Sequence, residues 1–141
     1  MDGNLEAFLN SLADAERAGG RVLHELEPLA KSCVLKELLR KVEHDEGYWA
    51  GGLAAQIRRL GGNPSNRTGD FVEKVRAIAG LREKLELLNR GQRWVIRKID
   101  ENIASVADDD LKGFLTIMSR AHQMNIDALD SELKQGNIQG D

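Results

Sequence analysis

The stretch SCVLKELLRKVEHDEGYWAGGLAAQIRRLGGNP, from Ser32 to Pro64, decides how the rest of the chain is read. Leu35, Leu38, Leu39, Val42, Trp49, Leu53, Ile57 and Leu60 recur mostly at three- and four-residue steps, the spacing that lines side chains along one face of an α-helix. Ser32 is a favoured N-cap residue, because its hydroxyl accepts a hydrogen bond from an otherwise unpaired backbone N–H. Gly61-Gly62 followed by Pro64 is a strong stop. The segment is a long helix with one apolar stripe, which must be buried against other helices.

Three further segments share this period. The first runs from about Asn4 to Glu27 with Leu5, Phe8, Leu9, Leu12, Val22, Leu23 and Leu26 on its stripe, and Pro28 bounds it. The third long segment runs from about Leu81 to Ala104, with Leu81, Leu85, Leu88, Val95 and Ile99. The last begins at Asp108 or Asp109, either of which can cap it, and reaches about Lys134 through Leu111, Phe114, Leu115, Met118, Leu129 and Leu133. Gly136 and Gly140 mark a frayed tail. β-branched residues never alternate with polar ones over a useful length, so strands are not expected.

The connection between the second and third long helices sets the topology. Asn63 to Gly69 reads as a polar loop, after which Asp70 is expected to cap a short helix from Phe71 to Ala79, closed by Gly80. A hairpin needs no such insertion, whereas a crossover along the length of a bundle does. The expected fold is all-α: an antiparallel four-helix bundle, one domain over residues 1–141, with a crossover linker carrying a short helix between helices two and three. A plain up-down-up-down bundle with a decorated loop is the alternative.

Composition narrows the function. Hydrophobic residues make up 41% and charged residues 30% of the chain, and the net charge is -3, so a folded protein is expected and nucleic acid is not an expected partner. No apolar run approaches the ~20 residues that span a bilayer, and no basic start precedes an apolar run, so the cytoplasm is the expected compartment. Cys33 has no partner for an intrachain disulfide and reads as a partly buried small residue. No Gly-rich phosphate loop follows a strand, and no strained nucleophile turn is expected in a bundle.

Chemistry enters where polar residues interrupt the stripes. Leu12 leads to Glu16, Val42 to Asp45 and Glu46, Leu88 to Gln92, and Met118 to His122 and then Asn125. Each of Glu16, Glu46, Gln92 and His122 lies near the midpoint of its own helix, so side-by-side packing brings them to one central layer. A lone buried carboxylate costs several kcal/mol unless paired, protonated or metal-bound. The layer therefore either holds a divalent cation or hydrogen-bonds within itself.

Around these positions the chain resembles a known family. Ala15-Glu16-Arg17-Ala18-Gly19, Asp45-Glu46 and His122 resemble the ferritin-like superfamily. The run from Asn89 to Lys98, with Gly69-Asp70-Phe71, resembles a small group of uncharacterised bacterial ferritin-like proteins, over nearly the whole chain. The resemblance implies the ferritin-like bundle without an established activity. The di-iron pattern takes one Glu from each of two helices and a Glu-x-x-His pair from each of the other two. Glu16 fits a single Glu and Glu46 the Glu of a pair, but Trp49 stands where that pair's His belongs. Gln92 occupies the other single-Glu position. His122 fits, with Ser119 in place of its Glu. Asp45 is a candidate fourth ligand. The resemblance thus implies a mononuclear or vestigial site for Fe, Mn or Zn at Glu16, Glu46, His122 and Asp45, with Gln92, Ser119, Trp49 and Asn125 around it, and it disfavours ferroxidase chemistry. The second reading is a metal-free helical module for a protein or small-molecule partner, in which Glu16, Gln92 and His122 form a hydrogen-bonded layer.

Other signals are weaker. His44 points away from the stripe, and His24 is ambiguous. Trp49 and Trp94 read as core packing, or as an aromatic wall of a small-molecule pocket. Gly19-Gly20, Gly51-Gly52 and Gly91 fall inside helices, which favours close packing, including a homodimer contact; room for a ligand or a dimer partner is the other reading. The basic run Arg90, Arg93, Arg97 and Lys98 is one-sided.

Overall fold

Each apolar stripe becomes a helix in the computed structural model, which describes residues 1–136 and residue 138. They are α1 (Gly3–Leu26), α2 (Cys33–Arg59), the short α3 (Phe71–Arg76), α4 (Leu81–Asn102) and α5 (Asp109–Lys134), with single 3-10 turns at Glu27–Leu29 and Ile103–Ser105. The described residues contain no strand, and none of their helices is long and apolar enough to cross a membrane. The tail position Gly140 lies outside the described residues.

Local chemistry sets the helix starts. Asp2 Oδ1 accepts from the Asn4 amide at 2.8 Å, Ser32 Oγ from Leu35 at 3.0 Å and Asp108 Oδ2 from Leu111 at 2.9 Å. Each such cap contributes about 1 kcal/mol. Asp70 does not act this way: at φ -105 and ψ 7 it leaves the extended conformation of a capping residue, and its carboxylate lies 3.6 Å from Lys74 Nζ instead. Nor does α3 reach Ala79; it ends at Arg76, and Gly80, at φ 88, turns the chain directly into α4. Cys33 is exposed, not partly buried, because it opens α2 on the solvent side.

α1 packs against α2 and α4 against α5, and the two pairs join through α1 with α4 and α2 with α5. α1 and α5 are therefore diagonal to one another. The 61–80 linker runs the length of α1. The Asn63 amide approaches Glu6 (3.4 Å), the Ser65 amide donates to Asn10 Oδ1 (2.7 Å), Arg17 Nε donates to the Arg67 carbonyl (3.0 Å), and Arg76 pairs with Glu25 (2.6 Å). From Glu6 to Glu25 the contacts climb together, so the linker returns the chain to the far end of the bundle before α4 begins.

The core is divided. One apolar cluster gathers Ala18, Val22, Leu23 and Leu26 with Leu35, Leu39, Val42, Leu85 and Leu129. The other gathers Leu9, Leu12 and Ala13 with Trp49, Leu53, Ile57, Val95, Leu115 and Met118. On every long helix the break between the two falls at a buried polar residue: Glu16, Glu46, Gln92 and His122. At ~2 kcal/mol per fully buried Leu, the two clusters can hold a polar layer that would be costly alone.

Candidate metal centre

Glu16, Glu46 and His122 are 1%, 3% and 2% exposed, and one ligand atom from each lies within 4.8 Å of the others. Three helices meet here. Glu16 and His122 reach across the bundle diagonal. Glu46 comes from α2 over Gly19, where an added Cβ would stand 3.1 Å from the Glu46 carboxyl carbon. The missing side chain at Gly19 is what lets that carboxyl lie against α1.

Hydrogen bonds orient these side chains. His122 Nδ1 lies 3.0 Å from the Met118 carbonyl; a carbonyl only accepts, so Nδ1 carries a hydrogen, and in the neutral imidazole Nε2 then presents its lone pair inward. Nε2 is 3.0 Å from Glu16 Oε2 and 2.9 Å from Oε1. The hydrogen-bond direction favours Oε2, and Oε1 lies off the axis. Three buried side-chain oxygens among the described residues have no hydrogen-bond partner: Glu16 Oε1, Glu46 Oε2 and Gln92 Oε1. All three belong to this layer.

Burial shapes the charge. Loss of solvent pushes the Glu16 carboxyl up to about 8, partly offset by a hydrogen bond from Glu46. The Glu46 carboxyl is held well above the usual range by burial first, and then by the nearby Glu16 charge. A divalent cation resolves the same difficulty by replacing the protons.

The donor set fits such an ion. Two carboxylates and one imidazole suit Mn, Fe or Zn. At metal–ligand distances of ~2.1 Å, the donors of a tetrahedral ion stand ~3.4 Å apart, so the widest pair would draw in by up to ~1.4 Å to hold one. Among the described residues no further carboxylate, imidazole or thiol joins the group.

Of the remaining expected residues, Gln92 stays in the layer and the others lie outside the cluster. Asp45 does not join the group: it turns into the α2–α5 seam, where its Oδ2 accepts from Lys41 Nζ and Asn125 Nδ2, both at 3.0 Å. Asn125, whose Oδ1 accepts from Lys41 at 2.8 Å, serves that clip and not the cluster. Trp49 is buried in an apolar cluster, edge-on to Phe114 at 5.3 Å between ring centroids. Ser119 lies within α5 and outside the cluster. Gln92 is 3% exposed, and its Nε2 donates to Asn89 Oδ1 at 2.8 Å. Asn89 was not anticipated: it is 1% exposed and donates to the Ile126 carbonyl and to Asp130, tying α4 to α5. Its position three residues before Gln92, on the same face, was the available signal. His44 is exposed as expected. His24 is exposed too, 3.2 Å from Glu43.

A cavity of about 510 Å³ opens beside the cluster, between α1, α4 and the linker. Glu16, Glu46 and Gln92 line it and His122 does not, so an ion held by the three would be reached through the carboxylate side.

Residues 3–131 match the model of a protein family described as a domain of unknown function, DUF6306. No curated protein and no solved structure matches the chain.

Proposed function

The chain belongs to the DUF6306 family, and we propose that it is a metal-binding bundle of the ferritin-like type, with four long helices and a mononuclear divalent-metal centre at Glu16, Glu46 and His122. One observation carries the metal reading: the buried oxygens without a hydrogen-bond partner gather in the layer where an imidazole lone pair also converges. The linker that follows α1 from Glu6 to Glu25 supports the ferritin-like connectivity. Trp49, Gln92 and Ser119 stand where the di-iron pattern has further ligands, which favours one ion over two.

The roles divide cleanly. Glu16 and Glu46 supply charge. His122, fixed by the Met118 carbonyl, supplies a nitrogen donor of set tautomer. A bound ion would act as a Lewis acid with positions open toward the cavity.

The test is a thermal-shift titration of metal-free protein with Mn(II), Zn(II) and anaerobic Fe(II), with Glu16→Gln beside it. A ligand at 100 times its Kd stabilises the folded state by ~2.7 kcal/mol, a rise of roughly 5–10 °C at this size. A rise specific to one metal and absent in the variant supports the reading. No rise with any metal overturns it.

A further inference from the structure

The cavity beside the cluster has a marked polarity. Its walls are apolar, with Ala15, Leu87, Leu88, Trp94 and Val95 among them, and Phe71 closes over Gly91, where a Cβ would stand 3.1 Å from the ring. Its lining carries three cations, Lys74, Arg90 and Arg97. Arg90 and Arg97 are two helical turns apart on one face of α4. Both are exposed, and neither has an ion-pair partner among the described residues. Their neighbours are neutralised: Arg93 pairs with Asp130 at 2.7 Å and Lys98 with Glu101 at 3.2 Å. Asp70 offsets only Lys74. At the inner side, Gln92 Oε1 is buried without a hydrogen-bond partner. The volume lies within the ~300–1,000 Å³ of small-molecule sites.

We infer that this cavity binds an organic acid with an apolar body. The carboxylate sits between Arg90, Arg97 and Lys74, the body lies along Leu87, Trp94 and Val95, and the far end reaches the Glu16–Gln92 side. Apolar walls make burial of the body favourable, and two unpaired guanidinium groups select a negative head. The inference rests on the metal reading only for what the far end meets.

Isothermal titration of metal-free, full-length protein with decanoate tests it, so that failure here leaves the metal titration untouched. Saturable one-to-one binding is expected, weakened tenfold or more in the Arg90→Ala/Arg97→Ala double variant and by high salt. Decyltrimethylammonium, with the same tail and the opposite charge, should not bind. Ala15→Phe, which fills the cavity, should abolish binding. Because Arg90 and Arg97 are exposed, the double variant keeps the test valid even if Ala15→Phe fails to fold. No binding of decanoate to the wild type, equal binding of the cationic probe, or undiminished affinity in the double variant each overturns the inference.

Discussion

His122 and Glu16 meet across the diagonal of the bundle, Nε2 3.0 Å from Oε2, although 106 residues separate them in the chain. The contact joins the first long helix to the last, and it sits where the two apolar clusters part.

Truncating that pair should cost stability even without metal. His122→Ala leaves the buried Glu16 carboxyl without its imidazole partner, a loss of about 1–3 kcal/mol. Glu16→Gln keeps a polar group of the same shape and should lose less. Urea unfolding of the metal-free variants measures both.

The raised carboxyls fix the sign of a pH dependence. Burial pushes the Glu16 carboxyl up to about 8 in the folded protein, against 4.5 for a solvated one, so between those values the folded state holds a proton that the unfolded state has lost. Metal-free protein should be most stable below pH 4.5 as far as this group is concerned, and should lose that contribution as pH rises through 8. Unfolding curves at pH 5, 7 and 9 should slope downward in the wild type and be flatter in Glu16→Gln. Metal binding at neutral pH should release protons, seen as a buffer-dependent heat of binding.

Gly19→Ala separates packing from ligation. The new Cβ would press on the Glu46 carboxyl at 3.1 Å, while helix propensity improves by up to ~1 kcal/mol. Stability of the metal-free protein should hold within ~1 kcal/mol, and metal affinity should drop about tenfold, which is ~1.4 kcal/mol.

Adjacent glycines on α2 should respond in opposite ways. A Cβ at Gly51 meets nothing within 4 Å, so Gly51→Ala should stabilise by up to ~1 kcal/mol. A Cβ at Gly52 would stand 2.6 Å from the Phe114 ring, and forcing that ring aside costs roughly 1–3 kcal/mol. Thermal melts of the two variants decide it.

Asp45→Asn is the contrasting carboxylate. It loosens the clip to Lys41 and Asn125, with about 1 kcal/mol or less lost, and should leave metal affinity unchanged. An affinity loss equal to that of Glu16→Gln would place Asp45 in the centre after all.

The sequence by itself determined the long helices, the cap at Ser32, a last cap at either Asp108 or Asp109, and the level of the polar layer, because helical spacing and distance along a helix are local properties. It did not decide between Asp45 and Glu46. Consecutive residues lie about 100° apart around a helix, and a broad apolar stripe tolerates either as its inward edge. Only packing set the rotation of α2, turning Glu46 over Gly19 and Asp45 toward Asn125. The cavity was equally hidden, since Arg90, Arg97 and Trp94 on α4 line one space only when α1 and the linker close around them. Such contacts join residues far apart in the chain, and their geometry exists only once the helices have docked.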